Sequence, residues 1–192
     1  MKLYKPDEPF VGKGVNSEMT IGDFWSFQFS NIYLNPDEIA EYIVAKALGK
    51  KEPDNRESWT EYDINYQSVR IEVKETAYYH PWNETVAISR QRSFDIHQLK
   101  SEDTGEMERK NDIYVFCLLK GENEEDAYPL NLDNWEFYVI PTAKINEECK
   151  SQKTLSLGRV REIAAKKTEY KDLKTEINSI IKGCNLQGGG MA

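Results

Sequence analysis

Histidine is scarce in this 192-residue chain, where His80 and His97 are the only two. A metal site built on several histidines is therefore excluded, and any bound ion must rely on carboxylates, which favours Mg²⁺, Mn²⁺ or Ca²⁺. Cysteine is also sparse. Cys117, Cys149 and Cys184 are odd in number and widely spaced, so they form neither a disulfide framework nor a zinc pattern. That usage fits a reducing cytoplasm, with Cys117 as a buried thiol. Long apolar runs are missing as well: the longest uncharged one is Ile113 to Leu119, far below the roughly 18–20 residues of a membrane span. The segment Met1-Lys2-Leu3-Tyr4-Lys5 has no apolar stretch behind it and does not read as a signal peptide. A cytoplasmic protein without a membrane partner is expected. Gly12, Gly14 and Gly22 make no phosphate-loop pattern, so no nucleotide site is assigned.

Positive charge is in deficit overall. A net charge of −8 argues, at first sight, against a nucleic-acid partner. The charge is uneven, however: residues 142–192 carry ten basic and six acidic side chains, so the acidity belongs to the body of the chain. What is present is ample apolar material. Hydrophobic residues make up 39% and aromatics 11%, enough for one domain with a real core.

Residues 1–20 read as a loosely held arm, 21–150 as an α/β domain, 151–183 as C-terminal helices packed on it, and 184–192 as a flexible tail. Asp23 to Phe29 admits either a strand or a helical turn. Asn35-Pro36-Asp37-Glu38 starts a helix, with Asn as cap, Pro at the first position and acids in the first turn. Ile39, Ile43, Val44, Ala47 and Leu48 keep helical spacing until Gly49 closes it. Asp54 to Glu57 reads as a loop. Trp59–Tyr66 and Ser68–Ala77 then read as strands, Thr85–Ile96 alternates, and Lys100–Asn111 reads as a loop. Asp112–Lys120 has no alternation and reads as a central strand covered on both faces. Glu122–Asp126 is an acidic loop. Trp135–Pro141 is another strand, and Ala143–Cys149, Leu157–Ala165 and Thr168–Lys182 are helices. The combination implies an α/β domain with a mixed sheet.

The informative stretch runs from Tyr62 to Lys74. Strand alternation puts Val69, Ile71 and Val73 on the core face, with Arg70, Glu72 and Lys74 opposite. Folding the two strands into a hairpin with Gln67-Ser68 at its tip pairs Asp63 with Glu72 on one face, although Gln-Ser is not a favoured two-residue turn. Opposed carboxylates destabilise a sheet unless something neutralises them. Two carboxylates and a backbone carbonyl can hold Mg²⁺ and leave coordination positions for water and phosphate. A lysine beside the ion can orient or help deprotonate the attacking water and stabilise charge on the transition state. An ordinary surface-facing strand with alternating charges is the plainer reading of the same residues.

Asp63, followed by Glu72-Val73-Lys74 on the next strand, resembles the PD-(D/E)xK nuclease superfamily, with its restriction-endonuclease-like fold. The helix from Asn35 to Gly49, carrying Glu41, resembles the helix that precedes the motif. Segments 109–116 and 135–141 resemble two later core strands. The likeness spans roughly Pro36 to Pro141, and Tyr62 stands where the motif name has proline. The fold it implies is a central mixed β-sheet flanked by helices, here with a C-terminal helical extension. By this resemblance Asp63, Glu72 and the Val73 carbonyl are metal ligands for Mg²⁺ or Mn²⁺, and Lys74 is the catalytic lysine. Glu41 positions water or a second ion. Glu38 competes with it, but Glu38 lies in the first turn, where the helix dipole already accounts for an acid. The implied activity is metal-dependent hydrolysis of DNA phosphodiesters, in restriction or repair. Cutting two strands with one site per chain suggests a homodimer. The alternatives are a non-catalytic nucleic-acid- or partner-binding protein that keeps the fold, and an acidic structural module with an incidental Glu-x-Lys. Arg70, Arg90, Arg92, Arg109 and Lys110 are candidate phosphate contacts, and solvation alone accounts for most of them equally well. His80 reads as part of a turn and His97, with no visible partner as a metal ligand, as structural.

Overall fold

The computed structural model describes residues 4–13, 19–29, 36–50, 62–79, 92–101, 103–123 and 125–184. The chain divides into two units, Met1–Asn35 and Pro36–Ala192. The first unit holds α1 (Ile21–Phe29). Thr20 decides helix over strand there. Its N–H donates to Asp23 Oδ2 at 2.8 Å while Asp23 N–H donates back to Thr20 Oγ1 at 3.2 Å, a reciprocal cap on the first turn.

The second unit begins with α2 (Pro36–Ala47). Gly49 follows at φ 82°, and Lys50 N–H reaches back to Ala45 O at 3.0 Å, a left-handed glycine stop that only a residue without Cβ adopts freely. Asn35, the expected cap, lies outside the described residues. Next come β1 (Ile64–Tyr66), β2 (Val69–Ala77), β3 (Ser93–Asp95), β4 (Leu99–Lys100), β5 (Met107–Glu108), β6 (Ile113–Leu119) and β7 (Trp135–Pro141). The unit ends with α3 (Thr142–Cys149), β8 (Thr154–Ser156), α4 (Leu157–Ile163) and α5 (Tyr170–Gly183).

Four strands form a mixed sheet in the order β1-β2-β6-β7. The β1–β2 and β6–β7 pairs are antiparallel and β2–β6 is parallel. On one face α2 and α5 bury Ala40, Ile43, Val44, Leu173, Ile177 and Ile181 against Val69, Ile71, Val73, Val115 and Phe137. On the other, Tyr114, Phe116, Leu118 and Ile140 meet Phe94, Ile96, Leu155, Val160 and Ile163. All seven residues of β6 are buried, which is why that strand reads as an unbroken apolar run. The architecture is α/β, with a central mixed sheet flanked by helices.

Two small pairings were not anticipated. β3 pairs with β8, and β4 with β5 inside the segment expected to be loop. Strands of two or three residues carry too little alternation to be read. The alternating stretch from Thr85 is covered only from residue 92, and Trp59–Glu61, Asp54–Glu57, His80, Arg90 and residues 185–192 lie outside the described residues. No helix among the described residues is long and apolar enough to cross a membrane.

Candidate functional site

The site begins at the β1–β2 hairpin. Gln67 and Ser68 have φ of 54° and 65°. Both are left-handed, as in the type I′ turn, whose twist suits antiparallel strands better than these side chains suit the turn. The register is Tyr66 with Val69, Asn65 with Arg70 and Ile64 with Ile71, which sets Asp63 beside Glu72. Past Ile64 a side chain takes over from the ladder. Asp63 N–H donates to Ile71 O at 3.1 Å, and Val73 N–H donates to Asp63 Oδ2 at 2.7 Å. By strand parity the Val73 N–H and C=O both point to the β1 edge, so the Asp63 carboxylate sits where a backbone carbonyl would otherwise accept.

Glu72 and Lys74 project from the face of β2 that also carries Tyr114 and Phe116 of β6. Lys74 Nζ lies 2.6 Å from Glu72 Oε1, with the two side chains 31% and 18% exposed. Burial, and then the charge on Asp63, raise the Glu72 carboxyl above its ordinary value despite the ammonium beside it. Burial works against the Lys74 charge, but Glu72 and Asp63 outweigh it, and its pKa is raised. Lys74 is therefore held as an ammonium. It is fitted to orient and stabilise negative charge rather than to act as a base.

The same face holds a small cleft of about 50 Å³, lined by Glu72, Lys74, Asp95, His97, Lys110 and Tyr114 among others. Asp95 closes β3 and His97 lies just past it, with the buried Phe94 and Ile96 alternating with them. His97 is not partnerless. Its Nδ1 lies 2.8 and 2.9 Å from the two Asp95 oxygens, and its N–H donates to Asp95 Oδ1 at 3.0 Å. Burial opposes the Asp95 charge, but these bonds and Lys74 prevail and lower its pKa. Tyr114 is pushed up to about 12 by burial. The Asp-x-His spacing was the one sequence signal for this pair.

The other predicted residues are scattered. Glu41 is half-buried on α2. Another α2 acid, Asp37, contributes with burial to pushing Glu75 of β2 up to about 8; burial is the larger cause, and Arg92 opposes both. Arg70 is committed to Asp112, through Nε at 3.1 Å and Nη2 at 2.8 Å. Arg92 Nη2 donates to Tyr78 O. Lys110 pairs with Glu108 at 3.2 Å and has a side chain only 12% exposed. Arg109 turns inward. It is 6% exposed, and its guanidinium donates to Ile96 O, Asn146 Oδ1, Lys150 O and Gln152 O at 2.7–2.9 Å. With four of its five donors so placed and the side chain buried, the guanidinium ties the segment after β3 and the end of α3 to the sheet and is poorly placed for the phosphate contact expected of Arg109. Arg90 lies outside the described residues.

No family model matches the chain, and no curated protein matches it in sequence.

Among the described residues no three His, Cys, Asp or Glu side chains gather into a metal-binding group. Two carboxylates do converge, with the Val73 carbonyl directed to the same edge as the Asp63 oxygen. Val73 N–H donates to an Asp63 oxygen, and Lys74 meets a Glu72 oxygen. That donor set suits a hard divalent ion that keeps several waters, as Mg²⁺ does, better than an all-protein cage.

Proposed function

We propose that the chain is a metal-dependent nuclease of restriction-endonuclease-like fold that hydrolyses DNA phosphodiesters, as a Mg²⁺- or Mn²⁺-dependent endonuclease in restriction or repair. The observation that carries this reading is the convergence of Asp63, Glu72 and Lys74 at one end of a hairpin, with Lys74 2.6 Å from Glu72 and both half-buried. Unrelated surface charges have no reason to accept that burial cost.

Asp63, Glu72 and the Val73 carbonyl would hold the ion. When bound, it would polarise a phosphoryl oxygen and lower the pKa of a bound water. The chain's own residues do the rest. Lys74, kept charged by Glu72, donates to a non-bridging phosphoryl oxygen and stabilises charge as it grows there. Asp63 keeps the β1 edge fixed through Val73, so the two carboxylates stay in register. Arg70 and Lys110, engaged by Asp112 and Glu108, add positive potential near the cleft without free reach.

A second reading, a binding protein that keeps the fold without catalysis, is favoured by the absence, among the described residues, of a group of three acid, histidine or cysteine side chains that could hold an ion. Incubating wild type and Lys74→Ala with plasmid, single-stranded and branched DNA, in Mg²⁺, Mn²⁺ or EDTA, separates the two. Nuclease chemistry predicts ion-dependent cleavage that Lys74→Ala lowers by at least about 10²-fold. Activity absent in every combination, or indifferent to the substitution, refutes it.

A further inference from the structure

We propose that His97 is a catalytic residue, the acid that protonates the leaving oxygen, and that Asp95 is its positioning residue. The inference rests on the nuclease reading above and names a group that reading does not use.

Three observations point to it. The imidazole is held by its Nδ1 against both Asp95 oxygens, at 2.8 and 2.9 Å. A carboxylate there orients the ring and fixes a proton on Nδ1. The turn itself needs none of this, since the bond from His97 N–H to Asp95 Oδ1 at 3.0 Å already closes it. Second, the ring lines the same cleft as Glu72 and Lys74, and its charge acts on Glu72 while that of Asp95 acts on Lys74. Third, the side chain is 50% exposed, and Nε2 has no hydrogen-bond partner among the described residues. The outer nitrogen can therefore meet a substrate, while the inner one is anchored.

The chemistry has a vacancy of that kind. Lys74, Glu72 and Asp63 serve the phosphoryl group and the attacking water, and none is assigned to the departing oxygen. An alkoxide leaves poorly from phosphorus unless a proton arrives with it, and a positioned acid contributes about 10²- to 10⁴-fold. In the step, the water oxygen forms its bond to phosphorus as the bond from phosphorus to the leaving oxygen breaks. The electron pair of that bond stays with the leaving oxygen, which takes the proton from His97 Nε2. The surplus proton of the water passes to solvent, and the imidazole is reprotonated from solvent. Nothing is oxidised or reduced.

The test uses the full chain with a duplex oligonucleotide carrying ordinary linkages, and with matched duplexes whose bridging oxygen is sulfur at the 3′ or the 5′ position. A thiolate leaves without a proton. His97→Ala and the less disruptive His97→Gln are expected to slow the ordinary substrate by about 10²- to 10⁴-fold. Both should lose less than about tenfold where sulfur occupies the leaving position, because the step that needs the acid is then bypassed. Asp95→Asn should show the same pattern, weakened, and Lys74→Ala should be impaired on every substrate. Melting temperatures near that of wild type show that the variants fold. Losses equal on oxygen and sulfur substrates, or no loss at all, overturn the assignment of His97 and leave the nuclease reading standing. A wild type inactive on every substrate overturns both.

Discussion

Replacing Arg109 by methionine should destabilise the protein strongly. The side chain makes four hydrogen bonds, to Ile96 O, Asn146 Oδ1, Lys150 O and Gln152 O, from a residue only 6% exposed. Bonds to a charged donor contribute about 1.5–3 kcal/mol each, and acceptors left buried and unmatched carry a further cost. The acceptors from Asn146 to Gln152 surround the C-terminal end of α3, where the helix dipole favours a cation. Losses within one cluster are not additive, and water can reach some of the freed carbonyls. About 3–5 kcal/mol is therefore the working figure. At about 2–4 °C per kcal/mol for a domain of this size, the midpoint should fall by about 6–20 °C. Arg109→Lys should recover less than half, because a single ammonium cannot span acceptors on three segments. Thermal melting of both variants, with duplex-DNA binding followed by fluorescence anisotropy, checks the reasoning. A midpoint within about 1 °C of wild type, together with binding weakened about tenfold, refutes it and returns Arg109 to the phosphate-contacting residues.

Glu75 predicts a pH effect. Its carboxyl is pushed up to about 8 by burial and then by Asp37, and its Oε1 is buried with no hydrogen-bond partner among the described residues. Between the ordinary carboxylate value and about 8, the folded protein keeps a proton that the unfolded chain has released, so this group makes stability fall as pH rises through that window. Glu75→Gln should therefore raise the melting midpoint at pH 9 and leave it nearly unchanged at pH 4, and equal shifts at both would contradict the sign. At the hairpin tip, the double change Gln67→Asn and Ser68→Gly should stabilise by about 1 kcal/mol, because both positions need positive φ. Denaturant titration reads that shift, and a loss of stability would mean that the turn side chains do more than fill the tip.

Long periodic segments were legible from the sequence. α2, β7 and α5 carry full turns or clear strand runs, and β6 announces its double coverage by lacking alternation. The hairpin register was legible because Ile64 and Ile71 must both face the core, which overrides the poor turn residues. Non-local choices were not legible. Arg109-Lys110 before a strand looks the same in sequence whether it meets phosphate or carbonyls, and the acceptors of Arg109 at Asn146, Lys150 and Gln152 lie up to 43 positions away. Arg70 finds Asp112 at a separation of 42. At the site, Glu-x-Lys was visible because strand alternation is local. The approach of Asp95 and His97 was hidden because β3 is held by β8, whose residues lie about sixty positions downstream.

The parallel pairing of β2 with β6 also orders events in time. The β1–β2 hairpin closes around two residues, and hairpins of that kind form in about 1–10 μs. Ile71 meets Ile113 only when a far longer loop has closed, which is slower. Asp63 and Glu72 can thus come together early and in water, where their repulsion is weak. They lose that water only when β6 arrives. A chain ended at Lys110 should accordingly show no hydrogen-exchange protection across the β6 edge of β2. On the ribosome, the cleft cannot be complete before residues 113–119 have emerged, nor can the Asp95 segment be clamped before Ser156 has followed.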